Sequence, residues 1–343
     1  MESRQLGNTD MQVSSLCLGT MTWGRQNTEA EGFAQMDLAL DHGIHFFDTA
    51  EMYAVPSTEE FAGTTETIVG NWLKKTGNRE RIILASKVTG PGMKHIRGGS
   101  RFNREHILHA IDGSLKRLQT DYLALYQLHW PDRNTNYFGK LGYRHKDKEI
   151  ATPISETLEV LGELLKTGKI RHYGLSNETP WGVMSFIREA EKLGLPAPVS
   201  IQNPYSLVNR TYEVGLAEIS HRENIGLLAY SPLGMGVLSG KYRNNQWPEN
   251  ARLSLFRYFA RYSSERTQEA VEHYYQLAQQ HGLSLTQMAL QFVTQQSFVT
   301  SNILGATSVA QLQENIASAE LTLSEELLKA IEEIHNRMPN PAP

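Results

Sequence analysis

The feature that most constrains this 343-residue chain is an alternation: eight short apolar runs of strand character are each followed by a helix, or by a loop and then a helix. The runs are Leu16 to Thr20, Ile44 to Asp48, Arg81 to Lys87, Tyr122 to His129, Ile170 to Ser176, Val199 to Gln202, Ile225 to Tyr230 and Thr300 to Leu304. Between them, Ile107, Ile111, Leu115 and Leu118 fall at helical spacing, as do Ile154, Leu158, Leu161 and Leu165, each set placing one apolar face against a sheet. Thr152-Pro153 reads as a helix start and Gly168 as a stop. Alternation of this kind belongs to the α/β class, and eight such units close into a (β/α)8 TIM barrel. Ahead of the first barrel strand, Arg4 to Ser14 with Gly7-Asn8-Thr9-Asp10 as its turn predicts a β-hairpin that plugs the barrel floor.

Length and composition agree with one barrel domain over residues 1–343: 40% hydrophobic and 20% charged residues exclude disordered and fibrous classes. No linker or repeat interrupts the chain, and two long loops, 131–152 and 231–263, are of the length usually reserved for function or motion. Lys plus Arg number 33 against 37 Asp plus Glu, a net charge of −4 that offers no nucleic-acid surface and no polybasic membrane anchor. Small-molecule partners fit better. Cys17 is the only cysteine, so neither an intrachain disulfide nor a multi-cysteine metal site is available, and no metal is expected. The N-terminus lacks a signal-peptide core, and Ile225 to Leu238, the most apolar stretch, is broken by Ser231, Pro232 and glycines. The expected location is the cytoplasm. With no long heptad pattern, the expected state is a monomer.

In a barrel of this type the chemistry gathers where strands end. Asp48, Lys87 and His129 each close a strand, and Tyr53 lies five residues past Asp48 in a loop over the same mouth. A carboxylate, an ammonium, a phenol and an imidazole suit carbonyl reduction, in which hydride reaches carbon and a positioned acid protonates oxygen. Tyr53 is the acid in this reading. Lys87 would lower its pKa by stabilising the phenolate, Asp48 would hold Lys87 charged, and His129 would hydrogen-bond the carbonyl oxygen or share the phenol's proton. Singly, each of these residues reads more readily as a cap, an ion-pair partner or a packed aromatic; their joint placement carries the functional reading.

Asp48-Thr49-Ala50-Glu51-Met52-Tyr53, Ser86-Lys87 and Leu128-His129-Trp130-Pro131 resemble the signature segments of the aldo-keto reductase superfamily. The resemblance continues in order through Gly174-Leu175-Ser176-Asn177, Ile201-Gln202-Asn203, Ala229-Tyr230-Ser231-Pro232-Leu233 and Gln311-Leu312-Gln313-Glu314-Asn315-Ile316. It is strongest to a bacterial branch and extends to the potassium-channel beta subunits. By that resemblance Asp48, Tyr53, Lys87 and His129 form a catalytic tetrad, and the chain is an NADPH-dependent reductase of a small aldehyde or ketone.

No Gly-x-Gly-x-x-Gly follows a strand, which disfavours a Rossmann site; a cofactor would instead lie across the barrel mouth. Tyr230 offers a ring to stack on nicotinamide, and Ser176, Asn177 and Gln202 offer hydrogen bonds to its carboxamide, although strand-end capping explains the same residues. Gly305-Ala306-Thr307-Ser308 opens a helix whose free N–H groups suit a phosphate. Thr307, Gln311 and Glu314 or Asn315 then share one face, suited to adenosine or simply to solvent. The resemblance assigns that face to adenosine and assigns Ser231, Pro232, Leu233 and Gly234 to the cofactor wall. Lys241 and Arg252 match phosphate-binding positions of the channel subunits. Gly305 and Gln311 stand where better-known members carry the Lys and Arg that grip the 2′-phosphate; Lys241, Arg252 and the Thr307 hydroxyl would compensate, favouring NADPH over NADH.

Two rival readings remain at this level. One is a cofactor-binding regulatory or interaction protein with little turnover, against which all four catalytic residue types count. The other is a lyase forming a Schiff base on Lys87, which would need a depressed lysine pKa that Asp48 opposes. Trp23, Met52, Trp130, Tyr137 and Tyr143 are the residues expected to shape a partly apolar substrate pocket.

Overall fold

Two three-residue strands open the chain, β1 (Ser3–Gln5) and β2 (Gln12–Ser14), paired antiparallel with Arg4 opposite Val13. The turn between them requires Gly7, whose φ of +54° and 2.6 Å clearance from the Val199 carbonyl oxygen to an added Cβ leave no room for a side chain. Eight parallel strands follow: β3 (Leu16–Gly19), β4 (Phe46–Asp48), β5 (Ile83–Val88), β6 (Leu123–Leu128), β7 (Ile170–Ser176), β8 (Ser200–Pro204), β9 (Gly226–Tyr230) and β10 (Val299–Leu304). Each pairs with the next, and β10 returns to pair with β3, closing the (β/α)8 barrel. This computed structural model describes residues 1–256 and 261–343, so the part of the second long loop at 257–260 lies outside the described residues.

The outer layer is helical: α1 (Glu29–Asp41), α2 (Thr64–Thr76), α3 (Arg104–Leu118), α4 (Ile154–Lys166), α5 (Pro180–Leu193), α6 (Leu216–Arg222), α7 (Arg252–Leu255), α8 (Glu265–Gln280), α9 (Leu285–Thr294), α10 (Val309–Ala317) and α11 (Glu325–Arg337). On α3, Ile107, Ile111 and Leu118 are buried as the spacing requires, and on α4 so are Leu158 and Leu161. Pro153 precedes α4 and Gly168 follows it with a positive φ. The 131–152 loop contains no helix or strand, whereas the described part of 231–263 carries α7 and short turns.

Strand alternation explains both the core and the site. Odd and even positions point to opposite faces of a strand. Leu16, Leu18, Phe47, Leu84, Tyr126 and Leu227 join the core beneath the helices, while Cys17, Phe46, Ala85, Leu125, Leu228 and Ile303 form a separate apolar cluster with Leu6 and Val13 of the hairpin. The hairpin therefore closes the barrel floor. Two residues further along the inward face of these strands stand Asp48 after Phe46, Lys87 after Ala85, Gln127 after Leu125, Tyr230 after Leu228 and Gly305 after Ile303. The inward lining thus changes from apolar to polar in one step of the pleat.

Candidate active site

At that step Asp48, Lys87 and His129 meet Tyr53 of the loop after β4. The Lys87 ammonium is fully buried and donates to Asp48 Oδ2 at 2.5 Å, to the Thr49 carbonyl at 2.9 Å and to the Tyr53 hydroxyl at 3.4 Å. The His129 ring stands edge-on to the Tyr53 ring with centroids 5.6 Å apart, and its Nδ1 is buried without a hydrogen-bond partner among the described residues.

Burial and charge set the protonation states. Burial alone would depress the Lys87 ammonium, but the Asp48 carboxylate and the Tyr53 oxygen outweigh it and hold the pKa above the ordinary lysine value. Lys87 is charged. For Tyr53 the balance differs from the sequence expectation: burial raises the phenol pKa by more than Lys87 draws it back, with Asp48 adding to the rise. The phenol is a protonated acid rather than a lowered one. His129 is held well below the usual imidazole range, first by burial and then by Lys87, and is neutral.

Gln127 and the Glu51–Arg97 pair help to fix this arrangement, and neither stands out in the sequence as a site candidate. Asp48 Oδ1 accepts amide N–H bonds from Gln127 and Gln202, each at 2.9 Å. Gln127 sits within an apolar run and reads there as core; its only signal is its place between Leu125 and His129 at the inward period. Glu51, buried, accepts the Thr89 N–H at 2.6 Å and both Arg97 guanidinium nitrogens at 2.7 and 2.6 Å. This pair clamps the loop after β5 onto the loop that carries Tyr53.

The tetrad opens on a cleft of about 1310 Å³, lined by Asp48, Tyr53 and His129 with most of the cofactor candidates; Lys87 lies behind Tyr53 and outside the lining. Asn177 donates to the His129 carbonyl at 2.9 Å and to Ser176 Oγ at 3.1 Å, and its own Oδ1 accepts from the Tyr230 hydroxyl at 2.6 Å. Ser231, Pro232 and Leu233 continue the wall, but Gly234 does not: it is buried in a turn, donating its N–H to Ser231 O at 2.8 Å. Lys241 and Arg252 both line the cleft, and the Lys241 ammonium is held below its ordinary value by burial and by Arg252 beside it.

At the far end Gly305, Thr307, Gln311, Glu314 and Asn315 line the cleft. The helix-opening N–H groups are not all free, as the sequence had suggested. Thr307 donates both its N–H and its hydroxyl to Gln311 Oε1 at 3.1 Å, and Ser308 Oγ takes the Gln311 N–H at 3.2 Å. Gln26, unforeseen, donates to the Asn250 carbonyl at 2.9 Å and ties the first barrel loop to the seventh over the cleft.

Met52, Trp130 and Tyr137 also line the cleft, joined by Thr20, Met93 and Phe138. Trp23 and Tyr143 do not. Trp23 is fully buried in the main core, its carbonyl accepting from the Thr65 hydroxyl, and Tyr143 is 55% exposed on the outer loop. Among the described residues no group of three His, Cys, Asp or Glu side chains could hold a metal, and no helix is long and apolar enough to cross a membrane.

A barrel whose mouth gathers these four residues matches the model of the aldo/keto reductase family over residues 15–336, and the chain belongs to that family. Across its full length it is 52% identical to "Protein tas" of Escherichia coli (strain K12), covering all of that protein, and equally to its counterpart from Shigella flexneri. It is also 35% identical to the "Uncharacterized oxidoreductase YrpG" of Bacillus subtilis (strain 168), over 97% of this chain and 96% of that one. Family and relatives alike support an oxidoreductase enzyme acting on a small substrate.

Proposed function

We propose that the chain reduces the carbonyl of a small aldehyde or ketone to an alcohol with NADPH as cofactor and Tyr53 as proton donor. The observation that carries this reading is the buried Asp48–Lys87–Tyr53 chain of contacts opening beside His129 onto a cleft of about 1310 Å³. The cleft's donors fit a dinucleotide. Lys241 and Arg252 are close enough for their charges to oppose one another, which a bound phosphate relieves. Of the residues that line the cleft, Tyr230 would offer a ring to nicotinamide, Ser176, Asn177 and Gln202 would meet its carboxamide, and Thr307, Gln311, Glu314 and Asn315 would take the adenosine.

When bound, NADPH supplies the hydride that reaches the carbonyl carbon. The residues handle the proton. His129, neutral, directs the carbonyl oxygen toward the phenol; Tyr53 gives up its O–H proton; and the charged Lys87 stabilises the phenolate that remains, while Asp48 holds Lys87 in place. Lys87 is poorly suited to a Schiff-base lyase, because a lysine held above its ordinary pKa carries no free electron pair at neutral pH. A purely regulatory role leaves unexplained why the buried proton-donor assembly is complete.

NADPH is favoured over NADH because Lys241 and Arg252 can together bind a 2′-phosphate although Gly305 and Gln311 carry no base, and the Thr307 hydroxyl joins them by exchanging its bond to Gln311 Oε1 for one to the phosphate. The test is cofactor oxidation over a panel of aldehydes and ketones, with parallel titration of both cofactors. Turnover with tighter binding of NADPH supports the reading; a panel without turnover rejects it, and equal titration rejects the cofactor preference.

A further inference from the structure

The buried polar groups at the barrel mouth include one that the proposed chemistry does not use: Gln127, fully buried on β6 and paired in register with Lys87 of β5 and Gly174 of β7. Its hydrogen bonds admit one arrangement. A carboxylate only accepts, so both glutamines at Asp48 Oδ1 must present their N–H groups to it. Gln127 Nε2 and Gln202 Nε2 do so at 2.9 Å each, and the second Gln202 N–H reaches Gln127 Oε1 at 3.0 Å. Both Gln202 N–H bonds are then committed, and among the described residues no donor reaches Gln202 Oε1. That oxygen is left as an acceptor on a residue that lines the cleft.

We infer that Gln127 is the positioning residue joining cofactor recognition to proton delivery: its N–H directs the Asp48 carboxylate toward Lys87, and its carbonyl locks the Gln202 amide with an acceptor toward the cleft. The inference rests on the proposed roles of Asp48, Lys87, Tyr53 and Gln202. Its specific content is that residue 127 must be neutral and must both donate and accept. Among the described residues Asp48 Oδ1 has no other side-chain donor, and the loss of one N–H there leaves the buried carboxylate under-bonded.

Two substitutions separate this from packing. Gln127→Met keeps the length of the side chain and removes donor and acceptor. Gln127→Glu keeps the shape, and its protonated carboxyl still donates to Asp48 and accepts from Gln202. Once ionised it donates nothing and places a second negative charge against Asp48. The charged groups against position 127 are Asp48, which it bonds, and Lys87, opposite it in register on β5; Tyr53, His129 and Cys17 act electrostatically on that pair. Of these, His129 is held neutral and the Cys17 thiol is raised well above its usual value by burial and then Asp48, so neither supplies a competing ionisation near neutrality.

The experiment measures NADPH affinity by fluorescence titration and kcat from pH 5 to 9 in the wild type, both Gln127 variants and Tyr53→Phe. Gln127→Met is expected to weaken NADPH binding and lower kcat, each by roughly fivefold to tenfold, with an unchanged pH profile. Gln127→Glu is expected to show near wild-type kcat at the acid end and a new ionisation through which kcat falls as pH rises. A Gln127→Met enzyme within twofold of wild type in both quantities overturns the inference, as does a Gln127→Glu profile without the new limb. If those results accompany a wild type that turns over and a Tyr53→Phe variant that does not, only the role of Gln127 fails. A wild type inactive toward every carbonyl removes the underlying reading and this inference with it.

Discussion

The floor of the cleft and its outer wall solve opposite electrostatic problems. On the floor, Asp48, Lys87 and Tyr53 satisfy one another at 2.5 and 3.4 Å, with Gln127, Gln202 and the Thr49 carbonyl completing the shell. On the wall, Lys241 and Arg252 set like charges side by side, and Lys241 is destabilised as an ammonium by burial and by its neighbour. The floor is complete before any ligand arrives; the wall holds positive charge that an anion would relieve. The difference teaches that preorganisation for chemistry and readiness for binding are built by different means within one barrel.

The harshest way to break the floor is Lys87→Met. It leaves the Asp48 carboxylate buried with amide donors alone, so unfolding in denaturant should show a loss of about 3–5 kcal/mol. Any folded fraction should lose activity by about 10²–10⁴-fold. Stability close to wild type would mean that the ion pair does not hold the floor together. On the wall, Lys241→Ala and Arg252→Ala should each weaken NADPH by about tenfold in a binding titration, more strongly at low salt, while leaving stability nearly unchanged. Equal sensitivity of folding to both sets of substitutions would erase the contrast.

The pH dependence sharpens the same comparison with a smaller effect. In the proposed reaction Tyr53 is the acid and must be protonated; because burial raises its pKa, the active form persists through neutrality and is lost only above the ordinary phenol range. His129, held well below its usual range, is already neutral there and contributes no change near pH 6.5. The kcat for reduction should therefore be level from about pH 6 to 9. A step near 6.5 would assign a working ionisation to His129.

Much of this was legible in the chain. Parallel strands buried on both faces read as nearly continuous apolar runs, so the eight strands stand out, and Asp48, Lys87 and His129 are conspicuous because each interrupts such a run at its end. Gln127 interrupts one as well but is flanked by Tyr126 and Leu128, and only the inward period reveals it. The Glu51–Arg97 clamp depends on two loops meeting across 46 positions, which no local pattern encodes. Loop aromatics were the weakest signal: Trp130 and Tyr137 reached the cleft, whereas Trp23 went to the core and Tyr143 stayed outside, because an aromatic ring suits either environment. The sequence points the Tyr53 shift downward and the structure upward for a related reason, since charge is visible in a sequence and burial is not.

The central role given to the Tyr53 hydroxyl is tested most directly by Tyr53→Phe, which removes one oxygen and leaves the ring. Single-turnover reduction with saturating NADPH should slow by about 10²–10⁴-fold, while the NADPH dissociation constant stays within about twofold of wild type. Reduction at the wild-type rate in that variant would contradict the assignment of Tyr53 as the proton donor.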